Sequence, residues 1–200
     1  PCGLACVEPV ALTLRSQFVE NGGAVREGNV MRLVLRALRG FCLLAVCLAL
    51  AGPAGATSIV IDGVNDFAPA DTYPTSSLGF TGYATHDGSS LYLGFDGPAM
   101  FAAPTTTWLV AYIGTGAPGA TAGMTIGSQQ PSLSFSATHA LRWRLDGFVQ
   151  DVQAYNGSTW VTAAIGSSIA MSGNYFEVGI LLSALGSPSS IDLAAYLLSD

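Results

Sequence analysis

The chain has 200 residues, of which half are hydrophobic and a tenth are charged, and its formal net charge is −6. From Thr57 onward the basic residues are Arg142 and Arg144 against ten acidic residues, which gives this part a formal charge of −8. Such a surface repels phosphate backbones and anionic lipids, so we expect no binding to nucleic acid or to a membrane surface. All four cysteines precede Thr57, so this part can form no disulfide bond.

Residues 1–30 begin with Pro and show no clear hydrophobic period. Arg26-Glu27-Gly28 can be encoded by purine-rich codons just upstream of the Met31 codon, where a bacterial ribosome-binding site would lie. We therefore interpret 1–30 as upstream sequence translated in frame and expect it to be disordered. At the other end, the chain stops at Asp200 directly after a predicted strand, so we expect a further strand, a second domain or a sorting signal to be missing there.

Residues 31–56 have the pattern of a signal peptide. Met31 is followed by three arginines up to residue 39, an uninterrupted apolar run over 41–51, and small residues that end at Ala56. A membrane-spanning helix needs about 20 apolar residues, so this run is short for one. We predict cleavage after Ala56, export of a bacterial-type protein to the periplasm, cell surface or medium, and no membrane insertion afterwards. An uncleaved N-terminal anchor is the alternative.

Residues 57–200 are predicted to form one domain of short strands, because alternating apolar runs are separated by turn pairs. The predicted strands are Ser58–Ile61, Phe80–His86, Leu91–Asp96, Thr105–Ile113, His139–Leu145, Phe148–Tyr155, Thr159–Ile165, Tyr175–Leu181 and Ile191–Leu198. A small-residue loop is predicted over 114–123 and one helical turn over Leu182–Leu185. About nine strands at this spacing predict an all-β fold, an antiparallel β-sandwich of two sheets, immunoglobulin-like or jelly-roll in type.

Two strand registers predict a binding surface. Two-residue turns at Asp146-Gly147 and Asn156-Gly157 would pair Arg142 with Asp151 and Gln153 with Trp160. Because side chains alternate across a strand, one outer face then collects a mixed aromatic and polar set. Its members are Trp160, Tyr155, Arg142, Arg144, Asp151 and Gln153.

This mixture suits a sugar, whose C–H face packs on an aromatic ring and whose hydroxyls need donors and acceptors at fixed positions. The competing interpretation is that Arg142 and Asp151 form a solvated pair and that Trp160 packs under a loop. Gln150 falls on the predicted core face, and a bulge or a one-residue slip there would exchange the two faces. Tyr83 and Tyr92 share the outer face of the first hairpin. They are predicted either to form a second aromatic platform for a ligand or to cap a neighbouring sheet or loop.

Three segments resemble the family 9 carbohydrate-binding modules and the related DOMON-type sandwiches. Ile59–Phe67 is similar to their Ile-Asp-Gly-x-x-Asp-aromatic start, Tyr83–Phe95 to their second hairpin, and Tyr175–Ile180 with Leu185-Gly186 to a late strand and turn. The chain lacks the acidic pair that often precedes the middle strand in these modules, and the usual proline of the late strand. The resemblance implies a β-sandwich that binds a polysaccharide or other glycan.

Asp62, Asn65 and Asp66 group three oxygen-bearing side chains, the ligand type that calcium prefers. Their spacing does not match an EF-hand loop, and Asp and Asn are common in turns. We predict no cofactor, with a structural calcium ion at these residues as the alternative.

Some DOMON domains bind haem through His and Met, so the resemblance also implies a haem alternative. The residues available for it are His86, His139, Met100, Met124 and Met171.

The sequence contains no motif of a nucleophile elbow, a zinc protease or a phosphate-binding loop. Asp151 and Glu177 could be considered as a glycosidase pair, but their spacing does not specify one. We therefore predict a secreted, non-enzymatic glycan-binding module and predict no particular protein partner. The alternative is a structural or adhesive cell-surface module without a small ligand, favoured by low charge and many Ser, Thr and Gly residues.

Overall fold

The computed structural model describes residues 14–17, 59–75, 79–98, 100, 106–147 and 150–200. The predicted signal peptide over 31–56 lies outside these residues, as does most of 1–30. In the part of the chain that is described, no helix is long and apolar enough to cross a membrane.

The described residues contain thirteen strands and two short 3-10 helices. In chain order the strands are β1 (Leu14–Gln17), β2 (Thr72–Pro74), β3 (Thr81–His86), β4 (Ser90–Asp96), β5 (Thr107–Gly114), β6 (Ala120–Ala122), β7 (Ser132–Ala137), β8 (His139–Arg144), β9 (Gln150–Tyr155), β10 (Trp160–Thr162), β11 (Ser167–Ser172), β12 (Tyr175–Leu181) and β13 (Ser190–Ser199). The 3-10 helices span Pro69–Asp71 and Leu182–Leu185, the second at the predicted helical turn.

The strands form two large antiparallel sheets and one small sheet. Sheet A has the order β1-β13-β5-β8-β9-β10, sheet B the order β11-β12-β4-β3-β2, and sheet C pairs β6 with β7. Sheets A and B pack face to face through one apolar cluster, so the predicted antiparallel β-sandwich is confirmed. The large side chains of this cluster include Leu91, Leu93, Phe95, Met100, Leu109, Ile113, Leu141, Trp143, Phe176 and Ile180.

Strand β5 shows why sheet A has two apolar faces. Leu109 and Ile113 belong to the core between the large sheets, while Val110 and Tyr112 belong to a second apolar cluster on the outer side. Every residue from Trp108 to Gly114 is buried, so β5 reads as a continuous apolar run rather than an alternating one. Something must therefore cover the outer face of sheet A at this strand.

The predicted register between β8 and β9 is confirmed. Arg142 lies opposite Asp151, and Trp143 lies opposite Gln150. Trp143 is fully buried, whereas Gln150 is exposed at the start of β9. The amide at position 150 is therefore compatible with the predicted faces, and no slip of register is needed.

The predicted register between β9 and β10 is wrong by two residues. Trp160 lies opposite Tyr155 instead of Gln153. The side-chain oxygen of Asn156 accepts hydrogen bonds from the backbone N–H groups of Ser158 (3.0 Å) and Thr159 (2.9 Å), which closes a longer loop than a two-residue turn. A shift of two residues leaves every side chain on its original face, so Trp160 still joins the predicted surface.

The predicted strand at Ser58–Ile61 is wrong for its described residues, since 59–61 lie outside any strand. Strands β2, β6, β7 and β11 were not predicted, because Ser-, Thr- and Ala-rich runs carry a weak apolar alternation. Part of the predicted loop over 114–123 is strand β6. The sequence also predicts no element within 1–30, where Leu14–Gln17 pair with β13.

Candidate functional site

The outer face of sheet A is covered over one half and open over the other. Residues 119–137, which we call the cover, contain sheet C and the turn between its strands. The cover packs on β5, β8 and β13 through a buried apolar cluster that also includes Trp160 at its margin. The fully or nearly fully buried members are Trp108, Val110, Tyr112, Met124, Ile126, Leu133, Ala137, Ala140, Ala194, Tyr196 and Leu198.

A few hydrogen bonds hold the edge of the cover in place. The hydroxyl of Tyr112 accepts a hydrogen bond from the Met124 backbone N–H at 2.8 Å, and Gln130 Nε2 donates to the Gly123 carbonyl at 3.0 Å. A side chain at Gly123 would not fit, because its Cβ would lie 2.5 Å from the Tyr112 hydroxyl and 2.7 Å from Pro131. The glycine therefore lets the backbone of the cover lie directly against the sheet.

A groove of about 590 Å³ lies between the edge of the cover and the open half of sheet A. This volume is within the range of about 300–1,000 Å³ that is typical of small-ligand sites. Strands β8, β9 and β10 form the floor, and the cover forms one wall. The lining residues are Gly119, Ala120, Thr121, Ala122, Gly123, Met124, Thr125, Ile126, Gln130, Arg142, Gln153, Tyr155, Ser158, Thr159 and Trp160.

Trp160 is the central aromatic side chain of the groove. Its ring centroid lies 5.6 Å from that of Tyr155, in a tilted arrangement, and 5.6 Å from that of Tyr112, edge to face. Its indole Nε1–H points to the Ala122 carbonyl at 3.4 Å, a long hydrogen bond to the cover. Trp160 and Tyr155 are both half-buried, so they combine a fixed position with ring surface open to the groove.

A polar network forms the floor beside these rings. Arg142 donates to Asp151 through Nε (3.0 Å) and Nη2 (2.7 Å), a two-point ion pair. Gln153 is buried and its Nε2 donates to Asp151 (2.7 Å) and Thr162 (3.0 Å). Both amide hydrogens of Gln153 are thereby used, which leaves its carbonyl oxygen as an acceptor, while Arg142 retains further N–H donors.

Four of the six predicted surface residues line the groove: Arg142, Gln153, Tyr155 and Trp160. Asp151 lies on the same face and holds Arg142, but it is not part of the lining. Arg144 also lies on this face, outside the lining, where its Nε donates to Asp146 at 2.9 Å and its guanidinium lies 5.8 Å from the Trp108 ring.

Sequence reasoning missed the wall that the cover contributes. Thr121 and Thr125 come from a run of Gly, Ala and Thr that has no pattern of a binding motif. Ser158 and Thr159 lie in the loop before β10, whereas the sequence predicted that Thr159 begins a strand and assigned neither residue to a binding surface. Nothing in the local sequence indicates that these segments meet, because the contact depends on how the cover packs on Tyr112.

The outer face of sheet B is closed by the segment over 59–67. Ile59 and Phe67 of this segment pack on Tyr92 and Tyr175, and Tyr83 lies against the same cluster. The predicted pairing of Thr85 with Tyr92 is confirmed, but these tyrosines are part of a packed layer. Tyr83 and Tyr92 therefore cap a neighbouring segment, which is the second of the two interpretations drawn from the sequence.

Glu177 anchors this segment from β12. Its side chain is fully buried, and Oε1 accepts the backbone N–H groups of Asp62 and Gly63 at 2.6 Å each. The Tyr175 hydroxyl donates to Oε2 at 3.1 Å. Burial, together with the Glu177 carboxylate, raises the pKa of Tyr175 well above its ordinary value.

The three calcium candidates act as turn residues in this segment. Asp62, Asn65 and Asp66 accept backbone N–H groups of Val64 (2.8 Å), Phe67 (3.1 Å) and Val60 (3.0 Å) respectively. Within the described ranges, no three His, Cys, Asp or Glu side chains gather as a metal-binding group. These hydrogen bonds give the three residues a structural role in the turn.

Asp151 and Glu177 lie on opposite outer faces of the sandwich. Asp151 is on sheet A beside Arg142, and Glu177 is on sheet B beneath the 59–67 segment. Two carboxyl groups that cleave a glycosidic bond must face each other across one cleft. The two residues considered at the sequence level do not have that arrangement.

The haem candidates are distributed over separate parts of the fold. Met100 lies in the core between the large sheets, Met124 belongs to the cover and faces sheet A, and Met171 lies on β11. His86 ends β3 of sheet B, whereas His139 begins β8 of sheet A. Burial lowers the pKa of His139, whose Nδ1 lies 3.0 Å from the Thr138 hydroxyl.

Comparison with known proteins finds no matching family model, no matching curated protein and no matching solved structure.

Proposed function

We propose that this protein binds a glycan in the groove over β8, β9 and β10 without catalysing a reaction on it. The observation that carries the proposal is the combination of a half-exposed Trp160–Tyr155 pair with a hydrogen-bonded network of Arg142, Asp151 and Gln153 on one groove floor. The rings offer an apolar surface to the C–H groups of a pyranose. The network holds donors and acceptors at fixed positions for its hydroxyls.

The groove also has features that reduce the cost of binding. The floor consists of adjacent strands, so its side chains are already ordered by packing and by hydrogen bonds, and little conformational entropy is lost when a ligand binds. The Thr and Ser hydroxyls of the lining add groups that can both donate and accept hydrogen bonds. The resemblance to family 9 carbohydrate-binding modules, proposed on sequence patterns, points to the same ligand class.

Export belongs to the same proposal, since the sequence pattern over 31–56 predicts a cleaved signal peptide. A glycan-binding module would then meet its ligand outside the cytoplasm. N-terminal sequencing of the protein recovered from a bacterial expression host tests this part: we expect a mature form that starts at Thr57.

The binding proposal is tested by screening the purified protein against a glycan array, with the variant Trp160→Ala in parallel. We expect binding by the wild type and a loss of at least about tenfold in affinity in the variant, because removing the ring removes about 1.5 kcal/mol or more of contact. Val161→Ala is the matched control, since Val161 is a neighbouring, partly exposed residue of β10 that does not line the groove.

Binding that survives Trp160→Ala in a folded protein would keep the function and reject this groove as its site. No binding to any glycan would favour the alternative of a structural or adhesive module. A Soret absorption band in the purified protein would instead support the haem alternative.

A further inference from the structure

We infer that the groove accepts uncharged glycans and rejects those that carry carboxylates, and that Asp151 sets this preference by occupying Arg142. The inference rests on the proposed function and narrows its ligand class. It concerns the charge of the groove floor, which can be argued from the contacts of two side chains.

Arg142 is the one charged side chain among the described lining residues. An arginine in a sugar-binding groove would ordinarily bind the carboxylate of a uronic acid, because its planar fork matches a carboxylate at two points. Here one edge of that fork, Nε and Nη2, is taken by both oxygens of Asp151 at 3.0 and 2.7 Å. The pair is electrically neutral as a unit, so the floor presents no uncompensated positive charge.

The pair is held in this arrangement from several sides. Gln153 donates to Asp151 Oδ2 at 2.7 Å, and the Arg142 guanidinium lies 5.1 Å from the centroid of the Trp108 ring. Only 27% of the Arg142 side chain and 20% of the Asp151 side chain are exposed. A ligand carboxylate that took the same edge of Arg142 would leave Asp151 as a partly buried charge without its cation, which is costly.

The overall charge of the domain acts in the same direction. Residues 57–200 carry two arginines and ten acidic residues, so an anionic polysaccharide approaches a surface of its own sign. Arg144, the other arginine, donates to Asp146 and lies outside the lining. An uncharged glycan meets neither obstacle. It can use the remaining N–H groups of Arg142 and the Gln153 carbonyl while the ion pair stays intact.

The inference predicts a gain of binding when the ion pair loses its negative partner. In Asp151→Asn the side-chain shape and one acceptor for Arg142 remain, but the arginine keeps an uncompensated charge. We expect this variant to bind uronic acid oligosaccharides at least tenfold more tightly than the wild type does. Its affinity for the matched neutral oligosaccharides should not rise with it, so the ratio of uronate to neutral affinity should increase at least tenfold over that of the wild type.

Asp146→Asn is the matched control, because it makes the same change in net charge beside Arg144, away from the groove. We expect no gain in uronate binding there, so the control separates the local pair from the charge of the whole domain. Calorimetric titrations of all three proteins would use matched pairs of oligomers: glucose and glucuronate, galactose and galacturonate, and mannose and mannuronate.

Weak wild-type binding of the uronates, together with a gain confined to Asp151→Asn, supports the inference. Equal wild-type affinity for the two members of a pair, or an equal gain in both variants, overturns it and leaves the proposed glycan binding in place. Absence of wild-type binding to every oligomer overturns the proposed function and this inference with it.

Discussion

The two outer faces of the sandwich carry similar side chains but differ in how much of each face is covered. Each face carries a tyrosine-rich cluster and a carboxylate that accepts hydrogen bonds from its surroundings. On sheet B the segment over 59–67 covers the cluster, and the carboxylate of Glu177 is fully buried. On sheet A the cover reaches only part of the face, and Trp160 and Tyr155 stay half-exposed at a groove. Aromatic side chains thus become part of the core or part of an open groove according to what lies over them.

The closed face depends on a few close fits. A side chain at Gly94, opposite Glu177 on β4, would place its Cβ 2.8 Å from the Phe67 ring and 2.9 Å from the Tyr175 hydroxyl. The glycine leaves room for that ring, and Glu177 accepts the buried backbone N–H of Gly63 and the part-buried N–H of Asp62. The covered face is consequently specified by complementary shape and by the side-chain acceptor of Glu177.

The change with the largest expected effect removes that acceptor. Glu177→Ala leaves the N–H groups of Asp62 and Gly63 and the hydroxyl of Tyr175 without their partner, so we expect a loss of about 4 kcal/mol in the free energy of unfolding. Urea unfolding monitored by tryptophan fluorescence measures this loss.

The control for this variant is Asp66→Asn, which changes an exposed carboxylate of the same segment that accepts one backbone N–H. A loss of about 0.5 kcal/mol or less is expected there. Equal losses in the two variants would contradict the anchoring role of Glu177. Because the groove lies on the other sheet, glycan binding by a folded Glu177→Gln protein should match the wild type.

Alkaline pH provides a test with a smaller effect that involves both faces. Burial raises the pKa of Tyr112 and Tyr196 under the cover, and burial with the nearby Glu177 raises that of Tyr175. Above pH 10 the unfolded chain loses phenolic protons that the folded chain keeps, so stability is lost as pH rises. We expect each tyrosine to contribute up to about 1.4 kcal/mol per pH unit to this loss.

Urea midpoints between pH 9 and pH 11 measure the slope, and Tyr175→Phe and Tyr112→Phe should each reduce it. A midpoint that does not change across this range would show that neither cluster resists ionisation. A smaller slope in only one variant would show that tyrosine ionisation opposes folding on that face alone.

The smallest expected effect concerns the attachment of the cover. In Tyr112→Phe the Met124 N–H loses its acceptor, which should cost about 1–2 kcal/mol in unfolding free energy. The edge of the cover also loses its fixed position, so we expect a loss of about threefold in glycan affinity. Tyr196→Phe is the control, because the Tyr196 hydroxyl donates to the Ser132 carbonyl at 3.1 Å and Tyr196 does not line the groove. Equal effects of the two variants on affinity would contradict this role of Tyr112.

Local sequence signals predicted much of the groove floor. The Asp146-Gly147 turn determined the pairing of β8 with β9, and alternation then assigned Arg142, Gln153 and Trp160 to one face. The error at the next hairpin arose because Asn156 accepts hydrogen bonds from the following backbone, which favours a longer loop. The error did not change the predicted face, because it amounted to an even number of residues.

The amino-acid sequence by itself determined the fold class and which side chains share a face, since both follow from local alternation and turn chemistry. Only the tertiary structure decided which faces are covered. The segment over 59–67 closes sheet B through Glu177, and the cover over 119–137 closes part of sheet A through Tyr112. Each of these contacts joins a loop-rich segment to a strand elsewhere in the chain, and the apolar alternation of that strand does not indicate the contact. Packing between such segments depends on shape in three dimensions, which no periodicity along the chain records.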